Sequence, residues 1–548
     1  MPIYMPRLTG LAGLVLMVAA LTSSPVACAI PAFSRQYQTS CSTCHVDFPK
    51  LNDFGKAFKD AGFKFPTDND SFLKIPAAVL GAPAQKDQFP HAVWPGSIPG
   101  VLPVGLRMNT YFQKTSANRG NFDSLLPAGT PASPFIPKTD FSSGYFSIFA
   151  AGDFGNDIAF WVDDDISVSG DNSQGHLGDG YLKFVNIGHL FHLPQDVLSL
   201  RAGRFELDLP FSQARNINIS PYDIYTQANI SAPNPEFGQH NVNNTYALAS
   251  GPNGVEFSGG HQYAGYHYSI AIVDQNTSGV TQSANTSNLV PSPTGGANGG
   301  VGFASDANFK DVYSRVSYRF NLEHDPQSRH AVQAAGSSGP RDHTYLNLGT
   351  FYYYGRSVQR FSGTDLAGTP RVLTIREPFY RAGADFSFNF RTLNIYGLYM
   401  SGHDNNLLPV DVTSTLIPLP LSGNSPLPVG FVHGAPATFG GGFIQTDYLA
   451  FPWMMAIMRW DSVNSSADRI SGLGLNTAAP FSLPFRSTRN RFTPGVQFLI
   501  HANIKASFEY QIRPEQFVTV VTNPITGLPV AVQPFRTNTA VVALEWVF

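Results

Sequence analysis

Asn503-Ile504-Lys505-Ala506-Ser507-Phe508-Glu509-Tyr510-Gln511-Ile512-Arg513 alternates without a break, with Ile, Ala, Phe, Tyr and Ile on one face. Asn, Lys, Ser, Glu, Gln and Arg occupy the other. Side chains on a strand point to opposite faces with period two, so this stretch is a strand with one apolar and one charged side. A half-buried soluble sheet also alternates, but strands of about ten residues with an ionised second face, many times repeated, mark a membrane barrel. Asp311 to Asn321 repeats the pattern, with Val312, Val316, Tyr318 and Phe320 against Asp311, Arg315, Ser317 and Arg319. Tyr380 to Phe390 does so again.

Working outward, strands fall at 103–114, 143–153, 157–168, 179–188, 197–209, 252–262, 265–274 and 309–321. The second half follows at 343–356, 377–390, 392–402, 440–450, 453–463, 491–501, 503–513 and 535–548. The fold class expected is all-β, a barrel of about sixteen strands, with a small helical segment before it. Tight turns such as Phe154-Gly155-Asn156 and Ala502 alternate with long loops at 210–251, 275–308 and 403–439. The connection 322–342 is long where a short turn is due. Short turns face the periplasm in bacterial barrels and long loops the exterior, so an even strand count puts both ends of the barrel in the periplasm. The last strand ends in Trp546-Val547-Phe548, a terminal pattern of the kind read by outer-membrane insertion machinery.

Composition agrees with a large surface that never meets water. Only 13% of residues are charged and 13% are aromatic, against about 25% charged in ordinary soluble chains. A net charge of −3 offers no basic surplus for nucleic acid. There is no phosphate-binding glycine loop and no recognisable nucleophile motif. Residues 1–29 read as a secretory signal: Arg7 in the n-region, Leu8 to Leu21 as the apolar stretch, and Ala27-Cys28-Ala29 as the cleavage site. Removal of this segment takes Cys28 with it and leaves two cysteines of the three.

Both survivors lie in Cys41-Ser42-Thr43-Cys44-His45. Cys-x-x-Cys-His is the attachment pattern of c-type haem, in which two thiols add to the porphyrin vinyls and the histidine takes the iron. A zinc site needs further ligands of this kind, and no other cysteine remains to supply them. A redox disulfide lacks a thioredoxin-like strand–helix pattern around it. Leu51, Phe54 and Phe58 recur at helical spacing, with Pro49 suited to a first turn and Gly62 to a C-terminal cap. The expectation is a short helix laying these side chains on a haem, in a segment 30–100 that plugs the lumen of the barrel 101–548. The sixth iron position stays open among His91, Met108, whose strand phase points outward, and an unliganded site; His91 is the candidate carried forward. His261, His343 and His501 lie near the periplasmic rim. Asp163 and Asp165 are expected to face the lumen near its outer end, where carboxylates draw in a divalent cation.

Signal segment, haem motif and barrel together resemble the fused cytochrome–porin family, which includes the outer-membrane iron oxidases of iron-oxidising bacteria. The closest local resemblance runs from Pro31-Ala32-Phe33-Ser34-Arg35 through Cys41–His45 to Leu51-Asn52-Asp53-Phe54-Gly55-Lys56-Ala57-Phe58. The resemblance implies one covalent c-type haem on Cys41 and Cys44 with His45 as proximal ligand. It further implies an extracellular donor such as Fe(II), a periplasmic cytochrome or cupredoxin as acceptor, and contact with outer-membrane lipid. Other readings within this frame are a general extracellular electron conduit and a porin whose haem segment is a gate or sensor.

Overall fold

The computed structural model describes residues 32–65, 72–80, 83–91, 96–115, 139–155, 157–167, 176–212, 217–226, 248, 251–274, 310–322, 344–365, 368–405, 407–415, 426–434, 436–465, 488–512, 519–522, 529–532 and 538–547. The leader, His343, Phe548 and the connections 275–308 and 322–342, apart from Leu322, lie outside these residues.

Sixteen antiparallel strands close into one barrel. They are β1 (Val104–Thr115), β2 (Thr139–Asp153), β3 (Ile158–Ser167), β4 (His176–Phe184), β5 (Ser199–Arg204), β6 (Asn253–His261), β7 (Ala264–Val273) and β8 (Asp311–Asn321). The circuit continues through β9 (Tyr345–Thr364), β10 (Pro370–Phe390), β11 (Leu393–Asp404), β12 (Ala437–Phe451), β13 (Met454–Ser465), β14 (Thr488–His501), β15 (Ile504–Gln511) and β16 (Thr539–Val547). Each strand pairs with its sequence neighbours, and β16 closes on β1 from Thr539↔Thr115 to Val547↔Arg107. Closure leaves no sheet edge, so every wall amide has a partner without water.

The alternation read from the sequence is the wall's inside and outside. On β8, Val312, Val316, Tyr318 and Phe320 are exposed, while Asp311, Arg315, Ser317 and Arg319 are buried. On β15, Phe508 and Tyr510 are exposed while Lys505, Ser507, Glu509 and Gln511 are buried. The polar face therefore looks inward and the apolar face outward, the reverse of a soluble domain.

Two features differ from the sequence expectation. Strands β9 and β10 run 20 and 21 residues, paired continuously from Tyr345↔Asn389 to Thr364↔Pro370. Residues 357–376 read as loop because they carry no apolar stripe. A hairpin standing clear of an apolar band has no reason to carry one. The second difference is the segment after β5. Its residues Phe205, Leu207 and Leu209 extend the strand pattern, but the chain leaves the wall at Arg204. Phe205, Glu206, Leu207 and Leu209 are all buried, so both faces of this stretch lie inside.

That segment crosses the lumen, and the described part of the expected external loop 210–251 is internal. Near its start, Asp208 accepts from His267 on β7 at 2.8 Å, and Tyr313 on β8 donates to the Asp208 carbonyl at 2.6 Å. On the opposite wall, Asn218 meets Gln445 of β12 at 2.7 Å and Ser220 donates to Glu509 of β15 at 2.7 Å. Arg491 on β14 holds Asp223 at 2.9 Å and Asp461 at 3.2 Å, and donates to the Pro221 carbonyl at 2.5 Å. Tyr222 stacks on Phe443 with centroids 3.9 Å apart. Backbone groups in a lumen need partners, and the ionised wall supplies them.

Arg491→Ala leaves buried Asp223 and Asp461 without this cation. The folded barrel should lose about 3–5 kcal/mol, read as a lower urea midpoint of the heat-modifiable form, with Arg491→Lys recovering part of it.

Candidate haem-attachment site

Helix α1 (Ala32–Tyr37) leads into a 3₁₀ turn at Cys41–Thr43. A small hairpin follows, His45–Asp47 against Lys50–Leu51, and then helix α2 (Asp53–Asp60). Asn52 ties these pieces together. Its side-chain oxygen caps α2 by accepting from the Gly55 N–H at 2.8 Å, while its amide donates to the Thr43 carbonyl at 3.0 Å. Its backbone N–H donates to the Cys44 carbonyl at 2.9 Å. A Cβ on Gly55 would lie 2.1 Å from that same carbonyl, so only glycine lets α2 start against the cysteine turn. Gly62 follows the helix at φ +72, the left-handed C-terminal position expected of it. Pro49 differs from expectation. It sits in the hairpin turn, and Asn52 opens the helix in its place.

The aromatic face of α2 also differs from expectation. Phe54 and Phe58 pack on rings of their own segment, Phe58 on Phe33 at 5.1 Å and Phe54 on Phe65 at 4.9 Å. Phe63 continues the cluster to Trp161 on β3 at 5.9 Å. Phe33, Tyr37, Phe63 and Phe65 are neighbours of this face to which the helical spacing alone does not point.

The segment is fixed to the wall on several sides, each time near the end of the barrel that carries the tight turns after Phe390, Phe451 and His501. Arg319 of β8 grips Asp53 with two bonds of 2.7 and 2.6 Å. Lys50 pairs with Asp447 of β12 at 2.6 Å and Asn394 of β11 at 3.1 Å. Lys505 of β15 donates to the Phe48 carbonyl at 2.6 Å, and Lys183 of β4 to the Asp60 carbonyl at 3.1 Å. Partners on β4, β8, β11, β12 and β15 encircle the segment, which therefore lies within the barrel at its short-turn end.

Cys41 and Cys44 are free thiols. Burial raises both, and Cys41 beside it helps push Cys44 up to about 12, so each carries its proton at neutral pH. Burial brings His45 down to about 4, against the opposing pull of the Pro49 and Lys50 carbonyls. Its imidazole is thus neutral with a lone pair to give, and Nδ1 is buried with no hydrogen-bond partner. Cys41 and His45 line a cavity of about 1140 Å³, bounded beyond by Glu206, Asp208 and Tyr222 of the crossing segment. Pockets for small ligands and cofactors run about 300–1,000 Å³. Cys41, His45 and that space fit a haem held by the motif, while Cys44 is not on the cavity lining and packs against the Phe54–Phe58 aromatic cluster.

The other candidates are scattered. His91 is exposed after α3 (Pro83–Gln88) and is not among the residues lining the cavity. The Asp163 carboxylate accepts from the Asp179 N–H across the β3–β4 bulge, and the side chain of Asp165 lies outside what the structure describes. Among the described residues no group of three or more His, Cys, Asp or Glu is arranged to hold a metal ion. His261 approaches Asp196 at 3.8 Å, and His501 is exposed at the rim. The residues that the sequence reading missed are the anchors Lys50, Arg319, Asp447 and Lys505. Their signal was present, since Arg319 and Lys505 stand on the polar phase of their strands.

No protein-family model and no curated protein matches the chain. Solved structures of similar outline include the outer-membrane channel DcaP of Acinetobacter baumannii, at 9% identity and TM-score 0.42, covering 81% of this chain and 96% of that one. An anion-selective porin from Comamonas acidovorans has 10% identity and TM-score 0.42, with 81% and 98% covered. OprB of Pseudomonas putida has 11% identity and TM-score 0.41, with 81% and 94% covered.

Arg319→Ala should remove the two-bond link between Asp53 and the wall and loosen the segment by about 3 kcal/mol, the low end for a broken buried pair. Alkylation of Cys41 and Cys44 in the folded apoprotein should then speed up by at least about tenfold; an unchanged rate means that the other anchors suffice.

Proposed function

We propose that this chain is a porin-like barrel of the bacterial outer membrane that carries one c-type haem at its periplasmic mouth. In this role it passes electrons between an extracellular donor, Fe(II) above all, and a periplasmic cytochrome or cupredoxin. The observation that carries the proposal is the meeting of Cys41, Cys44 and His45 within one short stretch at the short-turn end of a closed barrel. The membrane assignment rests on the wall itself, since a closed sheet with apolar residues outward satisfies its backbone in lipid. Short turns face the periplasm in bacterial barrels, which supports an attachment turn on the side where carriers diffuse.

Cys41 and Cys44 would fix the group through thioethers and His45 would take its iron; the haem, when bound, supplies a one-electron centre. The protein's own residues do the rest. Arg319, Lys50 and Lys505 hold the segment against the wall and fix the attachment turn relative to the lumen. The crossing segment bounds the cavity away from the attachment turn, with Asp208 held by His267 and Gln262 and Glu206 by Ser212. Oxidised iron precipitates near neutral pH, so collecting only the electron keeps the solid outside.

A second reading, a solute pore with a haem-bearing gate, is favoured by the ionised lining of the cavity, including Arg201–Glu256 at 2.7 Å and Lys50–Asp447. Two measurements on the purified protein separate them. Prompt haem reduction on mixing with Fe(II), with no swelling of loaded liposomes, supports the conduit. Swelling without reduction supports the pore. Cys41→Ala with Cys44→Ala should abolish covalent haem by pyridine haemochromogen assay while the heat-modifiable barrel persists. Phe508→Arg, an outward position on β15, should cost about 2–4 kcal/mol on folding into vesicles if that face meets lipid; no cost would remove the membrane assignment.

A further inference from the structure

We infer that Met455 would supply the second protein ligand to the iron of the proposed haem, from the cavity that His45 also lines. This rests on the haem reading and deepens it. Met455 is 3% exposed and belongs to a buried apolar cluster with Ile217, Leu449 and Ile457. The one residue of the N-terminal segment packed on that cluster is Val46, the immediate neighbour of His45. Cys41, His45, Val46 and Met455 all line the same cavity.

The other thioethers are elsewhere. Met454 and Met458 lie on the opposite face of β13 from Met455, and Met458 is 51% exposed. Arg107 reaches Glu545 inside the barrel, so Met108, one residue on, faces out. Met400 is buried in the larger aromatic core and does not line the cavity. Met455 is thus the only methionine among the described residues on the same cavity as Cys41 and His45.

The histidines fit less well. His267 lines the cavity but spends Nε2 on Asp208, and it stands on β7. The charges that act on His45 are Lys505 of β15 and Arg107 of β1, far round the wall from β7. His501 on β14 also lines the cavity, but it is exposed at the rim whereas Met455 is buried. His91, the sequence candidate, is exposed and outside the cavity lining. Met455 offers a soft, uncharged sulfur in an apolar setting, suited to haem iron and to the flat face of a macrocycle. Ligation by histidine and methionine raises the reduction potential, which suits an acceptor of electrons from a weakly reducing donor such as Fe(II).

The test uses the full chain, co-expressed with a periplasmic haem-attachment apparatus and purified in detergent. Haemochromogen assay first establishes covalent haem; its absence from wild type overturns the haem reading itself. With haem present, the ferric wild type should show the weak long-wavelength sulfur-to-iron charge-transfer band. Met455→Leu should lose that band and shift the midpoint potential downward with haem content unchanged, and Met455→His should give a bis-histidine low-spin spectrum. A wild-type spectrum without the sulfur band overturns Met455 while leaving the haem in place. So does a band that survives Met455→Leu. His501→Ala should leave the band intact, and its loss there instead would also overturn the assignment. Heat-modifiable mobility, which reports the barrel alone, confirms that each variant is folded.

Discussion

Everything in this molecule follows from one closure, the ladder in which β16 pairs with β1 from Thr539↔Thr115 to Val547↔Arg107. A closed antiparallel wall satisfies its own backbone, and alternation then sorts side chains into an apolar exterior and a charged interior. The interior is where the difficulty lies. Arg459, Asp461, Lys505 and Glu509 are almost fully buried, and a buried charge without a partner is costly. The lumen therefore has to be filled with partners. Two chain segments supply them: the N-terminal segment at the short-turn end, and the stretch from Phe205 to Thr226 above it. Arg319 with Asp53 and Arg491 with Asp223 are instances of one bargain, in which wall charges are satisfied and in return fix the segments in place.

The strands were legible because lipid-like and lumen faces impose a strict period of two, and all sixteen appear near their expected positions. What escaped has physical reasons. The outer halves of β9 and β10 lost the apolar stripe that identifies a strand, although backbone pairing runs to Thr364↔Pro370. Phe205 to Leu209 kept the stripe but left the wall, because an alternating apolar run serves equally for a strand or for a stretch buried on both sides. Periodicity records burial and not which surface does the burying.

At the site the division is similar. The cysteine pair and His45 carry a chemical spacing that needs no fold to be read, and the structure puts them on one wall-bound turn. The cap by Asn52 and the close approach at Gly55 are local and could be read nearly as well. The partners of α2 could not. Phe33 and Tyr37 stand 25 and 21 residues from Phe58, the ring they meet on α2, and only folding brings them together. Wall anchors such as Asp447 are further still from Lys50 in sequence: strand phase shows that such a residue faces inward, and not which residue it meets.

The two crossings bear on what the lumen can pass. The N-terminal segment is pinned to five strands at one end, and the stretch from Asp208 to Asp223 is pinned to both walls above it. A solute would have to pass both. An electron has no such need, because its passage depends on the separation of redox centres and not on a continuous aqueous path. On the proposed reading, the same paired charges that stabilise the interior also obstruct it. The cavity between the crossings then serves as a chamber, reached from one side by a small donor and from the other by a carrier. A group held there on Cys41, Cys44 and His45 would stand at the boundary the barrel otherwise seals. On that reading, the ionic filling that closure demands also leaves room for charge transfer between the crossings.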